Sequence, residues 1–381
     1  MTERLSAWCR EQTEPLLVLL EELVRQNSHS GNRENGAETA RILQREFDAI
    51  EGISTQLIDS DAFAPHILAT TDAARDSADG CIALVGHHDT VFPAGTFEGF
   101  TREGDIARGP GVLDMKSGLC LMIFALRGLA HIGRSLPPVR VVIVSDEEVG
   151  SPESFSLLQE RVRGAACALV FEAGRAGDAV ITSRKGTGGV KATAHGIAAH
   201  SGNHHADGAN AIWALARFID KVQQFTDYDA GITVNVGTIS GGQSRNTVPE
   251  QCESLIDLRY IRSADGEGLL ERIRAAAVTT YVPNTRIELE GGLARPPLER
   301  TDANAAIFRE YAACAIAAGL AAPEAALIGG GSDASTTAAI GIPSIDGLGP
   351  RGSGFHTKNE LIEISSLPMK LDALARFLFA R

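Results

Sequence analysis

The sequence predicts an α/β chain of two domains, one inserted into the other. Between residues 55 and 172, short β-branched apolar runs alternate with helical stretches, the pattern of strands covered by helices. At Lys185-Gly186-Thr187-Gly188-Gly189 the texture changes, and the segments that follow run β-α-β-β-α-β, a split βαβ order. The Pro-containing joint Leu293-Ala294-Arg295-Pro296-Pro297 then returns the chain to further helices. At 381 residues the chain also exceeds what one core usually serves.

Residues 3–26 read as helical, with Leu16, Leu17, Leu19, Leu20 and Leu23 on the core face and Pro15 as a kink or a second start. A polar loop over 27–36 leads to a helix at 37–50. Strands follow at 55–58, 66–70 and 81–85. Asp114 reads as the N-cap of an apolar helix reaching Ile132. Residues 139–144 and 166–171 are buried strands, separated by a helix at 154–163. In the insert, strands at 190–195, 232–239, 252–260 and 285–290 enclose helices at 210–225 and 266–277. The closing part holds a helix at 304–318, a Gly turn at 329–333 opening another, a short strand at 344–347 and a helix at 367–380.

Composition narrows the function. Apolar residues make up 44% and charged residues 22%, the balance of a globular protein with ample core. A net charge of −13 disfavours nucleic acid and anionic membrane as partners. No run of about 18 uncharged apolar residues offers a membrane span. The N-terminus lacks a signal peptide's apolar core, so a cytoplasmic location is expected. Six cysteines without a CxxC pair read as buried reduced thiols.

The chemistry centres on His87-His88-Asp89-Thr90, which ends the 81–85 strand. Ligands bind at such strand ends in open α/β sheets. His87 and Asp89, two apart, share a face. Alone, this is an ordinary turn. Four other stretches change the reading: Asp114 within Gly109-Pro110-Gly111-Val112-Leu113-Asp114-Met115-Lys116-Ser117-Gly118, the run Asp146-Glu147-Glu148, Glu172, and His356. Acids or histidines at several strand ends suit a pair of metal ions, with mixed His and carboxylate ligands favouring zinc. One carboxylate must bridge, and Asp114 beside its Gly-flanked turn is the natural candidate. Glu147 and Glu148 should point opposite ways, one a ligand and the other a general base.

These residues resemble the di-zinc metallopeptidase family of glutamate carboxypeptidase, aminoacylase, acetylornithine deacetylase and succinyl-diaminopimelate desuccinylase. The resemblance runs through Gly86 to Val91, Gly109 to Gly118, Ser145 to Ser151, Phe171-Glu172, Gly196 to Gly202, Gly330 to Ala334 and Phe355-His356. It implies a mixed-sheet zinc-hydrolase catalytic domain with helices on both faces, over 1–186 and 296–381. Residues 187–295 would be an inserted ferredoxin-like α+β lid and dimerisation domain. His87 and Glu172 would bind one metal, Glu148 and His356 the other, and Asp114 would bridge, with Asp114-Met115 cis. The cofactor would be two Zn2+ per subunit, with Co2+ or Mn2+ as substitutes. Glu147 would be the base, Asp89 would orient His87, and His200 would stabilise the oxyanion in its own or a partner subunit. His88, the middle residue of its motif, would face away from the metals.

The same resemblance implies a homodimer acting on a small N-acyl amino acid or peptide-like substrate. Asn246, Arg259, Arg295 and Ser332 resemble its substrate contacts. The reaction expected is cleavage of an amide beside a free carboxylate, closest to the glutamate carboxypeptidase branch. The matching stretch Asp178-Ala179-Val180-Ile181-Thr182 departs from the folate-hydrolysing enzyme by lacking its glutamate-contacting Lys. Alternatives are an N-acyl-amino-acid deacylase or desuccinylase, a two-metal phosphoesterase, and a non-catalytic binding relative.

Overall fold

The computed structural model describes all 381 residues and divides into two compact units. The first comprises Met1–Ser183, Arg300–Leu327 and Ser332–Arg381; the second comprises Arg184–Glu299 and Ile328–Gly331.

The first unit holds a six-stranded mixed sheet in the order Ile53–Ile58, His66–Thr71, Val139–Val144, Ile82–His87, Cys167–Val170, Ser344–Ile345. The last four run parallel and the first two antiparallel to their neighbours. Strand alternation sends Ile82, Leu84, Val139, Val141 and Ile143 into the larger core, shared with the Ser117–His131 and Leu367–Phe379 helices. The Ser154–Val162 and Asp333–Ala338 helices also pack on these strands. Both faces of the parallel strands are therefore buried, which is why they read as continuous apolar runs. The parallel strands end together at His87, Val144 and Val170, so the residues just beyond them share one edge of the sheet.

The N-terminal helix is two, Thr2–Glu11 and Thr13–Arg25, broken at Gln12, and Pro15 lies in the first turn of the second, as one of the two readings of Pro15 had it; its missing N–H costs nothing there. Two other expectations change. Asp114 does not cap the long helix, which spans Ser117–His131; Asp114 lies in an irregular segment before it. A small sheet of strands at Thr101–Glu103, Ile106–Arg108, Gly352–Ser353 and Leu361–Glu363 was not foreseen, because segments of two or three residues carry no period.

The second unit is a four-stranded antiparallel sheet in the order Thr233–Gly241, Gln251–Tyr260, Gly186–His195, Arg286–Leu293. Helices Ala211–Gln223 and Ser263–Val278 pack on it around Leu215, Phe218, Ile256, Leu258 and Ile273. Residues 328–331 join this unit because Lys185 N donates to Ile328 O at 2.8 Å and Arg184 Nη1 to Gly330 O at 3.0 Å.

All six cysteines are free, and all but Cys314 are buried. Burial pushes the thiols of Cys9 and Cys167 up to about 12. We therefore expect a thiol reagent at pH 8 to label at most Cys314 quickly, and the other five only on unfolding. Rapid labelling of a second thiol in the native protein would contradict this packing.

Candidate metal centre and active site

Local structure brings five side chains together at the sheet edge. Gly86 lets the 82–87 strand pass close to the 112–116 segment: a Cβ there would lie 2.4 Å from Met115 Cε. Gly111, at φ +71°, turns the chain so that Asp114 faces His87. The Asp114-Met115 peptide is cis, as the resemblance implied. His87 Nε2 lies 3.3 Å from Asp114 Oδ1 and 3.7 Å from Glu172 Oε2. His356 Nε2 lies 3.3 Å from Asp114 Oδ2 and 3.0 Å from Glu148 Oε2. The two oxygens of Asp114 thus face different histidines, each with its own second carboxylate.

Glu147 and Glu148 do part, but not by strand alternation. They lie in a short 3-10 turn, Glu147–Val149. Glu148 goes to His356, while Glu147 places a carboxylate oxygen within 4.8 Å of ligand atoms of His87 and Glu172.

Asp89 holds this turn. Its Oδ1 and Oδ2 accept the backbone N–H of Glu147 and of Glu148, each at 3.2 Å, and its Oδ2 accepts Ser30 Oγ–H at 2.7 Å. His87 Nδ1 is 3.0 Å from the Asp89 carbonyl and 3.4 Å from its carboxylate. The carbonyl can only accept, so a neutral His87 carries its proton on Nδ1 and offers Nε2 as a lone pair. His88 turns away, its Nε2 3.0 Å from the Pro65 carbonyl, and burial lowers its pKa to about 4.

Burial and neighbouring charge perturb the cluster. Burial, then the neighbouring Asp114, pushes the Glu172 carboxyl up to about 7. Hydrogen bonding to Asp114 and then Glu148 pulls His356 up to about 10. Glu172 Oε1 is buried with no hydrogen-bond partner. A buried excess of carboxylates with an orphaned oxygen is the donor set a pair of divalent cations would satisfy. The residues fit such a pair: His87 and Glu172 on one side, His356 and Glu148 on the other, Asp114 between.

Two further buried groups support the site and carried no signal in the sequence. Lys116 donates from Nζ to Leu23 O at 2.9 Å and Gln26 O at 3.0 Å, closing the end of the second helix. Glu360 accepts three backbone N–H groups from 111–114. Burial pushes its carboxyl up to about 7 against the pull of those donors.

Comparison with known proteins agrees. Residues 182–285 match a peptidase dimerisation domain family, that of the M20 peptidases. Carboxypeptidase G2 of Pseudomonas sp. (strain RS-16) is 27% identical over 373 residues, spanning 95% of this chain and 88% of that protein. The chain thus carries a match to the M20 dimerisation domain and is similar to M20 peptidases over nearly its whole length. Two solved structures share the fold. Aminopeptidase PepT from Bacillus cereus superposes with a TM-score of 0.82 at 22% identity, covering 97% of this chain and 99% of that one. The YXEP protein of Bacillus subtilis, a dinuclear metal binding peptidase of the M20 family, gives 0.70 at 15%, covering 97% and 98%.

The chain is a hydrolase, and no helix is long and apolar enough to cross a membrane. The expected substrate contacts divide. His200 Nδ1 accepts the N–H of Gly202 and of Asn203, each at 3.1 Å, so a neutral His200 carries its proton on Nε2. Asn246 is exposed, with its Oδ1 taken by Ser244 Oγ at 2.8 Å and its carbonyl by Ser201 N at 3.0 Å. Two contacts are engaged otherwise than expected. Arg259 directs Nε and Nη2 at Asp257, both at 2.8 Å, because residues two apart on a strand share a face. The Ser332 hydroxyl caps the 333–338 helix through Ala334 N and donates to Asp346 Oδ2 at 2.6 Å. Arg295 is buried, its carbonyl accepting from Thr187 N and Tyr260 Oη.

Proposed function

We propose that the chain is a metallo-amidohydrolase releasing a C-terminal amino acid from an N-acyl or peptidyl substrate, in the manner of a glutamate carboxypeptidase. The observation that carries this reading is Asp114 dividing its two oxygens between His87 and His356, with Glu147 beside the cluster. The sequence likeness to carboxypeptidase G2 over nearly the whole chain supports the choice of branch.

His87, Glu172, Asp114, Glu148 and His356 would hold two ions, proposed as zinc from the mixed nitrogen and oxygen donors, with Co2+ or Mn2+ as substitutes. When bound, such a pair supplies a Lewis acid for the carbonyl and brings water's acidity toward neutral pH. Glu147 takes the proton of the attacking water and returns it to the leaving amine. Asp89 keeps Glu147 and Glu148 in place through their backbone N–H groups. His200 offers Nε2–H to the oxyanion. Asn246 and Arg295 are proposed for the substrate carboxylate; Arg259 would contribute only by leaving Asp257. The family match at 182–285 supports a homodimer through this domain.

A panel of N-acyl amino acids, dipeptides, N-succinyl amines and phosphoesters, scored by kcat/KM before and after chelation, tests the reading. Amides with a free C-terminal carboxylate should lead, and activity should vanish with the chelator and return with Zn2+, Co2+ or Mn2+. Preference for N-succinyl amines would move the chain to the desuccinylase reading. Phosphoester cleavage without amide cleavage would overturn both.

A further inference from the structure

Glu360 lies four residues after His356, in a polar loop that no motif singles out, yet its side chain is fully buried. Its Oε2 accepts Gly111 N–H at 3.0 Å, and its Oε1 accepts Leu113 N–H at 2.8 Å and Asp114 N–H at 2.9 Å. These donors converge because Gly111, in the left-handed region, folds 111–114 into a concave nest of N–H groups, a geometry that receives an anion. Around Glu360 the chain is held on other sides. Its own N–H goes to Thr357 O at 3.1 Å, Thr357 Oγ1 and N reach Gly354 O at 2.7 and 3.0 Å, and residues 361–363 pair with 106–108. One carboxylate therefore ties the turn before Asp114 to the loop bearing His356.

We infer that Glu360 is a positioning residue that sets the distance between the Asp114 and His356 side chains by clamping the 111–114 turn with both carboxylate oxygens. The clamp acts on two of the three proposed ligands of one ion, Asp114 and His356, and on the Asp114 oxygen that faces the other. It touches neither substrate nor metal. The role in metal binding rests on the proposed metal reading; the clamp itself rests on three hydrogen bonds.

The acceptor character is decisive. All three groups facing Glu360 are donors, so an amide in its place can satisfy those at one oxygen while its NH2 opposes the third. Glu360→Gln keeps the shape and removes the charge; Glu360→Ala removes the clamp. Hydrogen exchange of a peptide covering 109–116 in the metal-free protein reads the clamp alone. We expect exchange about 10-fold or more faster in Glu360→Gln, with the 139–144 strand unchanged. Competition with a chelator reads the consequence: metal affinity should fall by about 10–100-fold, the loss typical when the groups orienting ligands are removed. The visible spectrum of the Co2+-loaded variant should change as well.

Unchanged exchange in the 109–116 peptide would overturn the clamp whatever the metals do. Faster exchange with wild-type metal affinity and Co2+ spectrum would overturn the positioning role. If the wild-type protein bound no metal pair, the proposed metal centre would fail while the exchange result still judged the clamp. Should Glu360→Ala not fold, Glu360→Gln carries every comparison.

Discussion

Glu147→Gln should leave both metals bound and lower kcat by about 10²–10⁴-fold, the usual contribution of a positioned general base. The amide is the same size as the carboxylate but cannot take a proton from water. Of the two adjacent glutamates, Glu148 lies 3.0 Å from His356, while Glu147 sits beside His87 and Glu172. The backbone of Glu147 is fixed by Asp89, so the substitution should not shift the turn. Metal content by mass spectrometry and kcat on the best amide substrate decide it. Near-normal turnover would remove Glu147 from the base role. Loss of a metal would make Glu147 a ligand.

Asp89→Ala should destabilise the protein by about 3–5 kcal/mol, the cost of removing one member of a buried hydrogen-bonded charged group. The deletion strands Ser30 Oγ–H, the N–H of Glu147 and of Glu148, and one contact of His87, all around a carboxylate only 2% exposed. Each buried donor left unmet costs about 1–3 kcal/mol. Activity should fall as well, because the base turn and a proposed ligand lose their common anchor. Denaturant unfolding of the metal-free protein measures the first effect apart from metal binding. A loss under about 1 kcal/mol would mean that water or a rearranged Ser30 replaces the carboxylate.

Much of the site was legible because its chemistry is confined to strand ends. His87, Glu148 and Glu172 follow apolar runs that end at Val85, Val144 and Phe171, and buried parallel strands are readable as such runs. The inserted unit was legible from its alternating strands and Gly-rich joint. What failed was local geometry. Asp114 carries the residue type of a helix N-cap, and the sequence alone had no means of showing that its backbone leaves the helix and its N–H goes to Glu360. Glu147 and Glu148 were separated by strand alternation, whereas a 3-10 turn does it. Arg259 and Ser332 resembled the family's substrate contacts, and only the structure showed Asp257 on Arg259 and Ala334 N and Asp346 on Ser332.

The sequence by itself determined the α/β class, the insertion, and which histidines and acids would gather, because hydrophobic period and residue chemistry are local properties. Only the tertiary structure decided how they gather. That Asp114 faces two histidines, that Asp89 anchors the Glu147–Glu148 turn and that Glu360 holds the 111–114 turn are contacts across dozens to hundreds of residues. A backbone N–H carries no residue identity, so the groups that receive it become visible only once the chain has closed around them.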